Sequence, residues 1–110
     1  MSDEVSNNPG GKFEFHEDAF TIQLQQQKRL VKLNEIESIN AYKVDLITFD
    51  EICLDIVLDK TYITITEETQ GWFEFLEKLY FQFPSIERGW YPQISNPPFA
   101  SNFTTLYTRA

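Results

Sequence analysis

The side chains of this chain that could do chemistry are one cysteine, one histidine, a lysine set among aromatic and acidic neighbours, and a run of carboxylates. A cysteine nucleophile needs an adjacent base to hold it as thiolate. Cys53 lies in the alternating apolar stretch 52–58, and His16 lies in a separate stretch near the N-terminus. Nothing in the spacing brings them together, so Cys53 reads as a small hydrophobe and His16 as a surface residue. A single cysteine makes no intrachain disulfide. Asp45, Asp50, Glu51, Asp55 and Asp59 are dense enough to raise calcium binding or acid–base work. They lack the loop spacing of a calcium hand, and Asp45, Asp50 and Asp59 fall near turns, where carboxylates act as turn formers. The usual structural zinc set of four ligands is not present, nor is a Gly-rich phosphate loop. The expectation is no metal, no cofactor and no enzyme.

One constellation stays open as a pocket. Lys43 and Asp45 are two residues apart in a strand-like stretch, so alternation puts them on one face. With Tyr42 and Trp90 they would form the signature of a small-ligand or metal site. The plainer reading is an exposed ion pair worth under ~1 kcal/mol. The second group of interest is aromatic: Trp90, Tyr91, Phe99 and Tyr107 lie in a C-terminal segment with Pro92, Pro97 and Pro98. Such rings serve as interface anchors. They equally complete the core of a small domain, which needs their area.

The elements that must position these residues are legible from periodicity. Residues 12–16, 19–24 and 29–33 alternate as short strands, with a turn at Glu17-Asp18 and a hairpin loop over 25–28. Asn34 is placed to cap a single helical turn, pinned to the core by Ile36 and Ile39. Strands follow at 39–45, 51–58 and 62–66, joined by a connection at 46–50 and a turn at Asp59-Lys60. The period then changes. Trp72, Phe75, Leu76, Leu79 and Phe83 form one stripe, which predicts an amphipathic helix over 67–83 with Thr66 as its cap and Pro84 as its stop. Gly71 would let the helix start lie close to the sheet. The segment 84–110 is expected to be ordered and packed, with no regular structure beyond short turns.

The whole is one α+β domain. A curled antiparallel sheet of about six strands is followed by one helix and the aromatic tail, after a flexible arm over residues 1–11. With 110 residues, 42% of them apolar and ten Phe, the chain can bury a core of its own. Its 17 acidic and 9 basic residues give a net charge of −8. That charge disfavours nucleic acid and anionic membrane surfaces and favours a basic protein partner. No segment approaches the ~18 apolar residues of a membrane span, and no apolar leader is seen, so a cytoplasmic setting is expected.

Two resemblances add to this. The strand order, the Glu35-Ile36-Glu37-Ser38-Ile39 stretch and the closing helix resemble the bacterial pleckstrin-homology-like fold over residues 12–83, which implies a partial barrel capped by the helix. A second set of residues is similar to a family of short uncharacterised bacterial proteins. It comprises Ala41-Tyr42-Lys43-x-Asp45-Leu46, Asp50-x-Ile52-Cys53, Gly71-Trp72, Phe83-Pro84, Trp90-Tyr91 and Pro97-Pro98-Phe99-Ala100-x-Asn102-x-Thr104-x-Leu106-Tyr107. It implies no activity. The functional expectation is a protein-interaction module. The alternatives are an immunity-type inhibitor of a basic enzyme, a small-ligand or metal-binding domain, and a homodimer packed or exchanged through the tail.

Overall fold

The computed structural model describes residues 12–24, 27–95 and 102–109. Three strands come first: β1 (Lys12–Phe15), β2 (Ala19–Leu24) and β3 (Gln27–Lys32). They form one antiparallel meander in the order β1-β2-β3. A single 3-10 turn, Leu33–Glu35, then redirects the chain. The strands β4 (Ser38–Asp45), β5 (Asp50–Val57) and β6 (Tyr62–Thr66) follow. After them come helix α1 (Trp72–Gln82), the short helix α2 (Trp90–Ser95) and strand β7 (Asn102–Thr108). The second sheet is antiparallel, in the order β6-β5-β4-β7.

The fold is therefore α+β with two open sheets rather than one curled sheet of six strands, and it does not close into a barrel. The reason lies at β4. One edge pairs with β5 in full register, from Ser38 opposite Val57 to Asp45 opposite Asp50. The other edge is taken by β7, with Lys43 opposite Asn102 and Ser38 opposite Thr108, broken by a bulge between Ile39 and Asn40. β7 occupies the edge that β3 would need in order to continue the sheet. The turn at Leu33–Glu35 has Lys32, not Asn34, at its N-cap. Ile36 and Ile39, just beyond it, are fully buried.

The tail also departs from the expectation of irregular structure. Pro92 sits in the first turn of α2, where its missing N–H removes no helix bond. β7 carries three threonines, whose branched side chains suit a pleated surface. Pro97, Pro98 and Phe99 lie outside the described residues.

Alternation sorts each strand of the second sheet into two faces. Ile39, Ala41 and Lys43 of β4, Ile52, Leu54 and Ile56 of β5, and Ile63 and Ile65 of β6 point inward and are all buried. Helix α1 covers them with the stripe Trp72, Phe75, Leu76 and Leu79, and α2 adds Trp90 and Ile94. The first sheet joins the same core through Phe20, Ile22 and Val31. Its aromatic contacts hold it to α1: Phe75 stacks on Phe13 at 4.6 Å between ring centroids and meets Phe20 edge-on at 5.2 Å.

Helix α1 begins at Trp72, with the stripe, and not at residue 67 with Thr66 as its cap. Residues 67–71 form a turn in which the Thr66 hydroxyl accepts from the Glu68 N–H at 3.2 Å, and the helix N-cap is Gly71. Gly71 has φ +90°, and a Cβ there would lie 3.2 Å from Phe13 Cδ2. Both its backbone conformation and its space are thus reserved for glycine. Gly71→Ala is expected to destabilise the fold by more than about 1 kcal/mol, read as a lower urea midpoint at unchanged slope.

Candidate functional site

The residues singled out above do not converge. Tyr42 and Lys43 are neighbours in β4 and point to opposite faces of the sheet. Lys43 points inward and is 2% exposed. Its Nζ donates to the Ser95 carbonyl at the C-terminal end of α2 (3.0 Å) and lies 3.7 Å from Asp50 Oδ2. The lysine is thus a buried strut between β4, β5 and α2. Its ionic partner is Asp50, not Asp45.

Asp45 is exposed at the end of β4, where Oδ1 accepts from the Ile47 N–H at 2.9 Å. This is a turn-forming carboxylate, because the side chain takes a backbone donor that the turn leaves over. Trp90 is in the core, and its indole N–H donates to the Tyr80 hydroxyl at 3.0 Å. Tyr91 is half-buried, with its hydroxyl donating to Glu67 Oε2 at 2.9 Å. Glu67 Oε1 in turn accepts from the Ile52 N–H at 3.0 Å, so this acid ties α2 to β5. Tyr107 packs on Phe83, with ring centroids 4.5 Å apart. Phe99 lies outside the described residues. The described tail rings Trp90, Tyr91 and Tyr107 therefore serve the chain's own core and its margin.

Among the described residues the thiol has no activating neighbour. Cys53 lies on the outward face of β5, between Tyr42 and Thr66 in register, and is 5% exposed. Burial, with the charge of Glu51 adding, pushes it up to about 11. A thiol so placed is protonated and inert at neutral pH. His16 is in the other sheet, at the β1–β2 turn. Among the described residues no three His, Cys, Asp or Glu side chains come together to hold a metal ion, and no helix is long and apolar enough to cross a membrane.

One cleft enters the molecule between β1–β2 and α1. It is about 180 Å³ and is lined by Phe15, Phe20, Phe75 and Leu79, with exposed His16 and Lys78 also on it. Pockets that hold small ligands run to roughly 300–1,000 Å³. This one is a packing gap of benzene-like size at the edge of the core.

A further candidate is the outer face of the second sheet, which no described element covers. Register places Tyr42, Val44, Asp55, Glu51, Tyr62 and Phe103 on it. Phe103 is 67% exposed, and Tyr62 is also largely in solvent. Asp55 is at the centre, where Oδ1 accepts from the Tyr42 hydroxyl at 3.1 Å and from the Thr64 hydroxyl at 2.7 Å. Among the described residues this face carries no lysine or arginine. A shallow, open depression of about 390 Å³ lies on it beside Tyr42, Val44 and Phe103.

At one end of this face stands the β4–β5 loop. Leu46, Ile47 and Phe49 are exposed there, Ile47 to 86%. Ile47 has φ +77°. The Thr48 N–H donates back to the Leu46 carbonyl at 2.8 Å, which closes a γ-turn on a β-branched residue. Such a conformation costs about 1–3 kcal/mol. Asp55, Thr64, Ile47 and Phe103 were not among the residues expected to matter. Alternation alone gives the faces of Asp55 and Thr64, but which strand neighbours which is not written in any one strand.

The tyrosines set an alkaline limit. Tyr42 is pushed up to about 12 by burial, with the Asp55 charge adding. Tyr91 is pushed up to about 12 by burial, with the Glu67 hydrogen bond adding. Tyr80 is raised by burial. A folded-state value above the ordinary one of 10 means the native state holds protons that the unfolded chain has lost. Their stabilisation is complete below about pH 10 and is lost as the pH rises through about 12. Thermal midpoints measured between those limits are expected to fall steadily. Tyr42→Phe, which removes one such group, should flatten the fall.

Comparison with known proteins gives no matching family model, no matching curated protein and no matching solved structure.

Proposed function

We propose that this chain is a non-catalytic protein-interaction module whose partner is a basic protein. The observation that carries the reading is the outer face of the second sheet, which no described element covers. It sets the rings of Tyr42, Tyr62 and Phe103 among Asp55 and Glu51, with no cation of its own among the described residues. Aromatic rings beside carboxylates suit guanidinium and ammonium groups, which bond to the acid and lie over the ring. The net charge of −8 favours the same partner at long range. An inhibitor that neutralises a basic enzyme, in the manner of immunity proteins, is one form of this reading. The order of three strands, three more and a helix supports a pleckstrin-homology-like scaffold, to which β7 adds an edge after the helix.

A homodimer through this face is disfavoured, because it would bring the Glu51 and Asp55 carboxylates of two acidic copies together. The test is a titration of the purified chain against basic proteins that co-purify with it. The expected result is saturable binding that weakens as salt rises and is lost in Asp55→Lys. Salt-independent binding, or Asp55→Lys binding as tightly as the native chain, would contradict it.

A further inference from the structure

We propose that the β4–β5 tip, Leu46, Ile47 and Phe49, is the part of this chain that enters its partner, taken up by a recess with an apolar floor and a basic rim. The inference rests on the interaction reading above and adds where the contact is anchored.

Three observations carry it. The tip is apolar and in solvent: Leu46, Ile47 and Phe49 are all exposed. It is held in shape before any partner arrives. The Leu46 N–H donates to the Phe49 carbonyl (2.9 Å), the Thr48 N–H to the Leu46 carbonyl (2.8 Å) and the Ile47 N–H to Asp45 Oδ1 (2.9 Å). A loop already ordered loses little freedom on binding. Third, its surroundings carry one sign of charge. Residues 44–51, the tip with its two flanks, include Asp45, Asp50 and Glu51 and no Lys or Arg. Lys43 offsets Asp50 from inside. Asp45 and Glu51 therefore flank an apolar tip with negative charge, and the complementary surface is apolar with a positive rim.

Ile47 is the telling residue. Its φ of +77° is one that glycine adopts freely and isoleucine does not. With 86% of its surface in solvent, the side chain returns little packing to the fold. Isoleucine here costs the fold and serves a contact outside it. A second copy of the chain would set Asp45 and Glu51 against their own equivalents, and an anionic lipid surface would meet the same carboxylates.

A photocrosslinking residue placed at 47, at 103 and at 81 in the full chain tests this in the cells that make it. Position 81, on α1, is exposed and borders the cleft beside β1 and β2, on the inner side of the second sheet. The expected result is a crosslink from 47, and none from 81, to a protein of basic pI. That protein, purified, should bind Ile47→Gly at least about tenfold more weakly than the native chain. The same variant should unfold at a higher temperature, since glycine relieves the strained backbone. A merely structural role for Ile47 would not lower affinity while raising stability. Crosslinks from 103 but not 47, or undiminished affinity in Ile47→Gly, overturn the anchor and leave the interaction reading standing. Crosslinks only to a second copy of the chain, or binding of the chain to phosphatidylcholine–phosphatidylserine vesicles that Ile47→Gly abolishes, overturn the basic partner. No protein crosslink from any position overturns both.

Discussion

Replacing Lys43 with alanine is expected to lower the free energy of unfolding by about 3–5 kcal/mol, a large part of what a domain of this size has. The variant would strip a buried lysine from between the Ser95 carbonyl and Asp50. Asp50 would then lose that ammonium, with a side chain only 17% exposed. The effect should fall toward the lower end of that range, because some water still reaches the carboxylate. Most of the cost is the breaking of a buried pair at one of its two ends. Lys43→Met together with Asp50→Asn, which removes both charges and keeps the aliphatic stem, should recover most of the loss. Urea titration of the three proteins checks the order. A lysine at the mouth of an open pocket would behave otherwise, with Lys43→Ala costing under about 1 kcal/mol.

The second large effect is expected at Trp90. Trp90→Ala should cost about 3–5 kcal/mol, since a buried indole leaves a cavity that its neighbours refill only in part. Trp90→Phe keeps most of the ring and loses the N–H bond to the Tyr80 hydroxyl, at a cost of about 1–2 kcal/mol. The two values together separate packing from hydrogen bonding. They also bear on how the tail is used. Trp90 packs within its own chain, so the unfolding midpoint should not change with protein concentration. An exchanged or shared tail would make it rise with concentration. Native fluorescence should report one buried indole at Trp90 and a second at Trp72.

Periodicity carried most of the first two-thirds of this fold. The alternation of Ile52, Leu54 and Ile56 and the stripe of Trp72, Phe75, Leu76 and Leu79 each state their own buried face, and those faces meet in the core. What they do not state is pairing. Ile39 and Ala41 of β4 would serve equally well beside β3 or beside β7. The choice is made by a segment that arrives some sixty residues later. The prolines near that segment argued against regular structure, whereas Pro92 sits where a helix tolerates it.

The candidate site was harder to read for the same reason. Lys43 and Asp45 do share a strand parity, but a neighbouring strand decides the partner, and Asp50 on β5 stands closer to the ammonium. Asp55 gains its place only when Tyr42 and Thr64 arrive on either side of it from β4 and β6. Ile47 carries no mark in the sequence at all, because a positive φ at a β-branched residue is the last thing its type predicts.

The most direct measurement is a nuclear magnetic resonance titration of the isotopically labelled full chain with an oligoarginine peptide, with oligoglutamate as the control. Shifts are expected to saturate, to cluster on the outer sheet face at Tyr42, Glu51, Asp55, Thr64 and Phe103, and to weaken as salt rises. Oligoglutamate should leave those residues unmoved. Shifts that gather instead at the cleft between β1–β2 and α1, or that spread evenly over every acidic residue, would contradict a built docking face for a basic partner.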